Sequence, residues 1–439
     1  MNLAGHLDLA RRHPLDFTIQ YPPRREYFRD AFRADVDPGR LAEAGRVLLY
    51  LHVPFCEAKC FYCNFAVDTR REPSLHARYV EGLVRELDTL ERVLDPDCRI
   101  PGIDIGGGTP TQLPAKDLAR LLAALSPWRR RSDARYPLSV ETTPRVASEE
   151  PAKLDVLAEG GVDRVSVGLQ STNDQTLEQV NRGAQRSMAT RAVSALRGRF
   201  ARVNADLIFA LPGQTVACWE EDLRRAADLP LDSITTYDCL YRGKGRALTR
   251  MGPDRPAPET YGALYDLGYR ILTDNGFHAP YGSVNFSRHP GETGTSAYFE
   301  GRLFDGLPYV GLGNYASSLL GEWWWFAPYG VNAWLLSVES GRSLPVGDSY
   351  RLPLAERVAK YVLLSLSFGL LDPARFRLAF GRGLEGVLPE PLALAVESGW
   401  LERGGDRYIV RPGGFGDMAC LRSLFYTPEA IAWLRSQGE

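Results

Sequence analysis

The sequence predicts an α/β protein: an open, partial (β/α)6 barrel with an N-terminal arm and a C-terminal winged-helix-like α+β domain. Three observations carry this. Six apolar, β-branched runs recur at 47–53, 100–106, 137–142, 162–169, 202–209 and 233–240. Amphipathic helical stretches lie between and after them, among them Leu75–Leu94, Ala115–Leu125, Glu149–Glu159, Asp174–Val180 and Trp219–Leu229. Polar and glycine-rich residues gather where the runs end, which is where parallel barrels build their sites. Nearly continuous apolar strands alternating with helices are buried on both faces and pair in parallel. Six units are too few to close an eight-fold barrel.

The chain divides into an Arg-rich arm (1–45) with the rigid piece Tyr21-Pro-Pro-Arg24, the barrel (46–256), an extension (257–345) and a C-terminal domain (346–439). The extension opens with a helix, Glu259–Asn275. It continues through Tyr281-Gly-Ser-Val-Asn-Phe286, Tyr309-Val-Gly-Leu-Gly313 and the aromatic burst Trp323-Trp-Trp-Phe326. The C-terminal domain reads as helix Leu354–Leu366, helix Pro391–Ser398 with proline in its first turn, then a hairpin through Gly399-Trp-Leu401 and Tyr408-Ile-Val410. This segment is not strongly basic, so a structural or lid role is expected rather than DNA binding.

Apolar residues make up 44% and charged residues 24%, as in folded globular proteins. The 52 basic and 54 acidic residues give a net charge of -2, which leaves no nucleic-acid footprint. With no apolar leader and no membrane-length apolar run, the expected compartment is the reducing cytoplasm, without membrane attachment.

Cys56, Cys60 and Cys63 form a C-x3-C-x2-C knot after the first run. Three thiolates can hold three irons of a [4Fe–4S] cluster and leave the fourth iron open to a ligand. A zinc site needs a fourth ligand, for which His52 is the candidate, but zinc ligands usually come as paired C-x2-C knuckles. The total of seven cysteines is odd, and Cys98, Cys218, Cys239 and Cys420 are scattered, which suits small buried thiols better than disulfides.

Several segments together resemble a known family. They are Tyr50-Leu-His-Val-Pro-Phe-Cys56 with Cys60 and Cys63, Gly106-Gly-Gly-Thr-Pro-Thr111, Val140-Glu141, Val165-Ser-Val-Gly-Leu-Gln-Ser171, Asn181-Arg182 and Asp206-Leu-Ile-Phe-Ala-Leu-Pro-Gly-Gln-Thr215. In order and spacing this set is similar to the radical S-adenosylmethionine (SAM) superfamily, and within it to the oxygen-independent coproporphyrinogen oxidase-like (HemN-like) branch, over residues 46–439. The resemblance implies a [4Fe–4S] cluster on Cys56, Cys60 and Cys63 with SAM chelating the open iron. It implies that Gly107, Gly108 and Thr109 receive the methionine part, Tyr62 lies beside the adenine, and Glu141 meets the ribose. Gln170, Arg182 and Asp206 complete the polar contacts. The branch is thought to bind two SAM molecules, which puts Tyr50, Leu240 and Ser317 near the second. A reductant such as flavodoxin or ferredoxin delivers the electron that generates a 5′-deoxyadenosyl radical.

Two departures steer the expected reaction. Authentic coproporphyrinogen oxidases of the branch carry a further cysteine where this chain has Phe65. Its haem chaperones carry His-Asn-x-x-Tyr-Trp where this chain reads Gly294-Thr-Ser-Ala-Tyr-Phe299. The expectation is therefore the third group, the class C methylases and cyclopropane-forming enzymes of natural-product (antibiotic) pathways. These transfer a one-carbon unit to an sp2 carbon of an aromatic small molecule, in some cases with a partner methyltransferase. Oxidative decarboxylation and haem handling stand as alternatives. Alternate rings of Trp323–Phe326 suit a flat substrate, a core plug or a dimer contact equally. Asp238 and Glu300 are the candidate catalytic proton acceptors.

Overall fold

The structure is a computed structural model that describes residues 25–183, 186–239, 256–279, 284–341, 344–411 and 417–436, with residues 7, 8, 10, 21 and 241. The main sheet has six parallel strands: β1 (Leu48–Val53), β2 (Ile103–Gly107), β3 (Leu138–Thr142), β4 (Arg164–Gln170), β5 (Arg202–Phe209) and β6 (Ser233–Asp238). Each coincides with one of the six apolar runs. A short β7 (Asn285–Ser287) adds antiparallel to β6. At the other edge β8 (Tyr309–Leu312) runs parallel to β1, followed by the antiparallel β9 (Ser317–Leu320), β10 (Trp323–Phe326) and β11 (Ser349–Arg351). The order across the sheet, 11-stranded among the described residues, is β11-β10-β9-β8-β1-β2-β3-β4-β5-β6-β7.

The connecting helices include Pro73–Val93, Ala115–Arg129, Val216–Ala227 and Pro258–Asp274, close to the expected spans. The stretch expected as a single helix at 149–159 is two, Pro144–Glu149 and Pro151–Glu159. Pro151 has no N–H to continue the first helix and is preset for the first turn of the second. The helix Arg186–Leu196 was not anticipated from the sequence. Trp128, Trp219 and Trp334 are fully buried, Trp219 against the helix Pro258–Asp274 and Trp334 against Tyr79 and Gly82 of the helix Pro73–Val93.

The aromatic burst is β10, and both of its faces are packed. Trp325 joins the barrel core, while Trp324 and Phe326 enter a second core with Tyr27, Phe28, Tyr350 and Val362. The substrate-stacking expectation is thereby corrected: alternation sends neighbouring rings to opposite faces, and each face is already covered. The C-terminal residues follow the expected order. Helices Leu354–Leu366, Pro373–Phe380 and Pro389–Glu397 precede or flank a sheet ordered β12-β14-β13 (Leu370–Leu371, Arg407–Val410, Leu401–Gly404). Tyr21 and Tyr27 of the N-terminal arm donate to the Glu356 carboxylate at 2.6 Å each, tying the arm to this region. Residues 22–24, 281–283 and Leu240 lie outside the described residues.

Asp222, on the helix behind β5, ties together the two loops that follow β4 and β5. Its carboxylate accepts from Ser171 Oγ (2.8 Å), Thr172 N (2.5 Å), Thr172 Oγ1 (2.7 Å) and Gln214 Nε2 (3.1 Å). It is fully buried, and burial raises its pKa even against these donors. Removing it strands four donors. We expect Asp222→Ala to cost about 3–5 kcal/mol and Asp222→Asn clearly less, read from denaturant midpoints. Equal losses would mean that the carboxylate is not the tie.

Candidate active site

The cysteine loop is pinned between β1 and the loop after β4. Cys56 N donates to the Asp68 carbonyl (3.0 Å) and Phe61 N to the Val180 carbonyl (2.9 Å). Cys56 Sγ lies 3.7 Å from Thr109 Oγ1, and Arg182 Nη1 donates to Cys60 Sγ at 3.7 Å and to Tyr62 Oη at 3.2 Å. Arg182 Nη2 reaches the Gly168 carbonyl at 2.5 Å, so one guanidinium joins the cysteine loop to the end of β4. His52 is not a fourth ligand. Its buried ring bonds the Ala66 carbonyl through Nε2 at 2.8 Å, and burial lowers its pKa to about 4, so it is a neutral prop under the loop. Gly107, at φ +112°, packs against this ring: a Cβ there would fall 2.5 Å from His52 Nδ1, and one on Gly108 2.6 Å from the Pro54 carbonyl. The glycines at this strand end are thus required by protein packing, whatever else approaches them.

The concave face of the sheet lines a polar chamber of about 30 Å³. Its walls are Asp104, Ser139, Glu141, Arg164, Ser166, Asp206, Thr235 and Tyr237 from β2 to β6, closed by Thr295 and Phe299. These strand residues alternate with core-facing apolar ones, as the pleat requires. Asp206 accepts from Ser166 Oγ (2.8 Å) and Asn204 Nδ2 (2.9 Å), and Glu141 from Gly107 N (3.2 Å). Ser296 Oγ donates to Asp104 Oδ2 at 2.7 Å, while Asp104 Oδ1 is buried without a hydrogen-bond partner among the described residues. Gln170 holds a left-handed φ of +66° at the bulge ending β4, and its buried Oε1 also has no hydrogen-bond partner among the described residues. Such a conformation costs a non-glycine residue on the order of 1–2 kcal/mol, so the site is strained as well as unsatisfied.

Burial raises all three chamber acids, Asp104 to about 7, Glu141 to about 8, and Asp206. For Glu141 the neighbouring charges of Asp206 and Asp104 add to that rise. Arg164 opposes it at each of the three. The chamber is one cation against three acids, and it favours ligands that donate hydrogen bonds or carry positive charge.

The predicted residues divide cleanly. Cys56, Cys60, Cys63, Tyr62, Thr109, Gln170 and Arg182 surround the cysteine loop, and Glu141 and Asp206 line the adjoining chamber. Tyr50 stands at the rim, its ring 5.7 Å from that of Tyr298 and its hydroxyl 3.5 Å from His52 Nδ1. Ser317 starts β9, two strands from β1. The two proposed proton acceptors are not among the chamber-lining residues, each by one position. Tyr237 lines the chamber, so Asp238, next along the pleat, takes the opposite side, in register with the core residue Phe209. Phe299 lines it, so Glu300 is rotated away to accept from Thr293 and face Arg375 and Asp305. Asp104, Ser139, Arg164, Ser166 and Thr235 escaped sequence reasoning. Their signal is polar residues recurring at every second position within otherwise apolar strands.

Among the described residues no group of three or more His, Cys, Asp or Glu side chains gathers as for a single metal ion. A cubane makes no such demand, because each thiolate serves its own iron. The donor set fits it. Burial pushes the Cys56 thiol up to about 11 and raises Cys63, so thiolate there calls for cationic iron, with Arg182 close to Cys60. Gln170 approaches the same strand end and guanidinium with its amide nitrogen, and its buried Oε1 has no hydrogen-bond partner among the described residues.

Fold and site together define a partial-barrel protein with a three-thiolate centre beside an acidic chamber. The sequence model of the radical SAM superfamily matches residues 50–226. Curated relatives include anaerobilin synthase of Escherichia coli O157:H7, 28% identical over 78% of this chain and 79% of the relative. Heme chaperone HemW of Bacillus subtilis is 28% identical over 80% of this chain and 91% of its own, and that of Lactococcus lactis 30% identical over 62% and 69%. The solved structure of coproporphyrinogen III oxidase (HemN) from Escherichia coli superposes with a TM-score of 0.74 at 21% identity, over 90% of this chain and 95% of that one, and so shares the fold. The chain belongs to the radical SAM superfamily, whose cofactors are a [4Fe–4S] cluster and SAM, and its relatives are HemN-like proteins. Among the described residues no helix is long and apolar enough to cross a membrane.

Glu141 gives the chamber a pH signature. Its folded pKa of about 8 lies above the ordinary carboxylate value near ~4.3, so folding takes up a proton between the two. Its contribution is therefore most favourable at low pH and is lost as pH rises toward 8. In cofactor-free protein, Glu141→Gln is expected to flatten the fall in thermal midpoint between pH 5 and pH 9, the residual slope coming from Glu86 and Asp104. An unchanged slope would remove Glu141 from the titration.

Proposed function

We propose that this protein cleaves SAM reductively and, with a second SAM as carbon donor, transfers a one-carbon unit to an sp2 carbon of an aromatic small molecule. The observation that carries the reading is convergence at one mouth. The three thiols, the Gly106–Thr109 loop, Gln170 and Arg182 adjoin a chamber whose acids complement a cationic, hydroxyl-bearing ligand. When bound, the reduced cluster supplies the electron that breaks a carbon–sulfur bond of SAM. The protein's part is to hold and shield. Arg182 offers charge to the SAM carboxylate. Glu141 and Asp206 accept from ribose hydroxyls, and Tyr62 flanks the adenine. Tyr50 and Ser317 are assigned to the second SAM. With Asp238 and Glu300 turned away, the proton acceptor falls to the chamber carboxylates, Asp104 foremost.

Two side chains support one-carbon transfer over the relatives' named activities. Phe65, standing where the decarboxylating relatives resemble this loop but hold cysteine, is 58% exposed and offers no sulfur. Gly294, standing where the haem chaperones hold histidine, has φ +77° and a Cβ there would fall 3.2 Å from the Phe286 carbonyl, a poor seat for a bulky side chain. The second reading, oxidation or carriage of a haem-like molecule, is favoured by the relatives' names.

The test is anaerobic incubation of cluster-reconstituted protein with SAM, a strong reductant and candidate substrates. Methyl transfer yields both 5′-deoxyadenosine and S-adenosylhomocysteine, decarboxylation yields 5′-deoxyadenosine alone, and a chaperone yields neither. Replacing Cys56, Cys60 and Cys63 by Ala abolishes the iron–sulfur absorbance. Retention of that spectrum sinks the cluster assignment.

A further inference from the structure

Among the described residues two buried cations outside the chamber have no acid at salt-bridge distance, although the charge of Arg302 reaches Asp104. Arg302, on the helix Ala297–Leu303, lies 4.3 Å from the Tyr309 ring centre and donates to the Tyr298 hydroxyl at 3.3 Å. Lys360, on the helix Leu354–Leu366, is 5% exposed and lies 4.4 Å from the Trp324 ring centre. Its one acceptor is the Tyr21 carbonyl at 3.4 Å. Glu356, one turn earlier, is occupied by Tyr21, Tyr27 and Thr427. Beside the cations, Arg302 Nε, Tyr309 Oη and Trp324 Nε1 are buried without a hydrogen-bond partner among the described residues.

These groups share one face of the sheet. Tyr309 pairs with Leu319, and Leu319 with Trp324, so the two rings stand in one row two strands apart. That is about 10 Å. Two charge-assisted bonds of about 2.8 Å plus the width of an oxyanion span a similar distance. Unpaired buried cations cost several kcal/mol each, and unmade hydrogen bonds add to that. Burial, followed by the charge of Arg302, lowers the Lys360 ammonium to about 7. A buried cluster dominated by charged donors, with no carboxylate at salt-bridge distance among the described residues, is complementary to an oxyanion.

We propose that Arg302, Lys360, Tyr309 and Trp324 form an oxyanion site, taking a carboxylate or a phosphate, between the barrel extension and the C-terminal helices. The site is distinct from the three-thiol centre, although the charge of Arg302 reaches Asp104 and Tyr50. It lies one helical turn behind Phe299, so a carboxylate-bearing substrate held there would also reach the chamber, and a free inorganic anion would be held in the same way.

The test uses cluster-loaded protein, with inorganic phosphate and, separately, acetate titrated at constant ionic strength while the thermal midpoint is followed. The wild type is expected to show a saturable rise of several degrees with at least one of the two. A response to acetate alone identifies a carboxylate site, and a response to both identifies a general oxyanion site. In Lys360→Met and Arg302→Gln the rise is lost, and in Tyr309→Phe, which removes only a hydroxyl, the half-saturating concentration increases several-fold. Without added anion, Lys360→Met is expected to be as stable as the wild type or more so. SAM binding and 5′-deoxyadenosine formation are expected to be unchanged in Lys360→Met, which separates this site from the functional reading above. No response in the wild type, an equal response in the variants, or loss of SAM binding in Lys360→Met would overturn it.

Discussion

Arg164 is the charge on which the barrel interior depends. It is the one cation lining the chamber among the described residues, and it opposes the rise in pKa at Asp104, Glu141 and Asp206 alike. Its guanidinium also bonds Ser139 Oγ at 3.2 Å and the Gly294 carbonyl at 3.3 Å, so the same group spans β3, β4 and the segment closing the chamber. From there a hydrogen-bonded chain crosses the concave face through Ser166, Asn204, Ser233, Thr235 and Asn285. A parallel sheet normally buries apolar residues on both faces. Polar ones persist here because each finds a partner on the neighbouring strand, and because a ligand can satisfy those that do not, notably Asp104 Oδ1.

The cysteine loop depends on that interior through two contacts of different character. Arg182 is directional and charged: it bonds Cys60 and Tyr62 on one side and the Gly168 carbonyl on the other. His52 is steric and neutral, filling the space under Gly107 and fixing the loop through Ala66. Behind both, Asp222 holds the loops that follow β4 and β5, which keeps Gln170 in its strained conformation. Strain of this kind survives only where surrounding bonds over-determine it, and here they do.

The six strands were legible because a buried parallel strand needs a continuous apolar run, and little else produces six of them at this spacing. The cysteine knot and the residues at strand ends were legible because their identities are unusual. What hid were ordinary polar residues in ordinary strands: Asp104 and Arg164 carry no motif, and only their alternation with core residues betrays them. The helix Arg186–Leu196 was missed although it buries Ala189, Ala192, Val193 and Leu196 on one face, because two of these four are small alanines. The aromatic burst left a ligand surface, a core plug and a dimer contact equally open, and a strand with sheet neighbours on both edges and cover on both faces makes the rings core.

The helix Ala297–Leu303 shows how finely such assignments turn. Successive helical residues point about 100° apart. Phe299 therefore meets the acidic chamber, Glu300 turns to Arg375 of the C-terminal region, and Arg302 lies over Tyr309 in the cationic pocket. One short helix thus stands between a chamber lined by three acids and one cation and a cluster of two cations with no acid at salt-bridge distance among the described residues, with the charge of Arg302 reaching Asp104 across it. A ligand long enough to pass this helix with a donor or cation at one end and an oxyanion at the other would satisfy orphaned atoms on both sides, Asp104 Oδ1 on one and Arg302 Nε on the other. A ligand carrying only one of those groups leaves the other set unpaired, at a cost of roughly 1–3 kcal/mol for each buried atom. The fold therefore selects for polarity along the ligand as well as for shape.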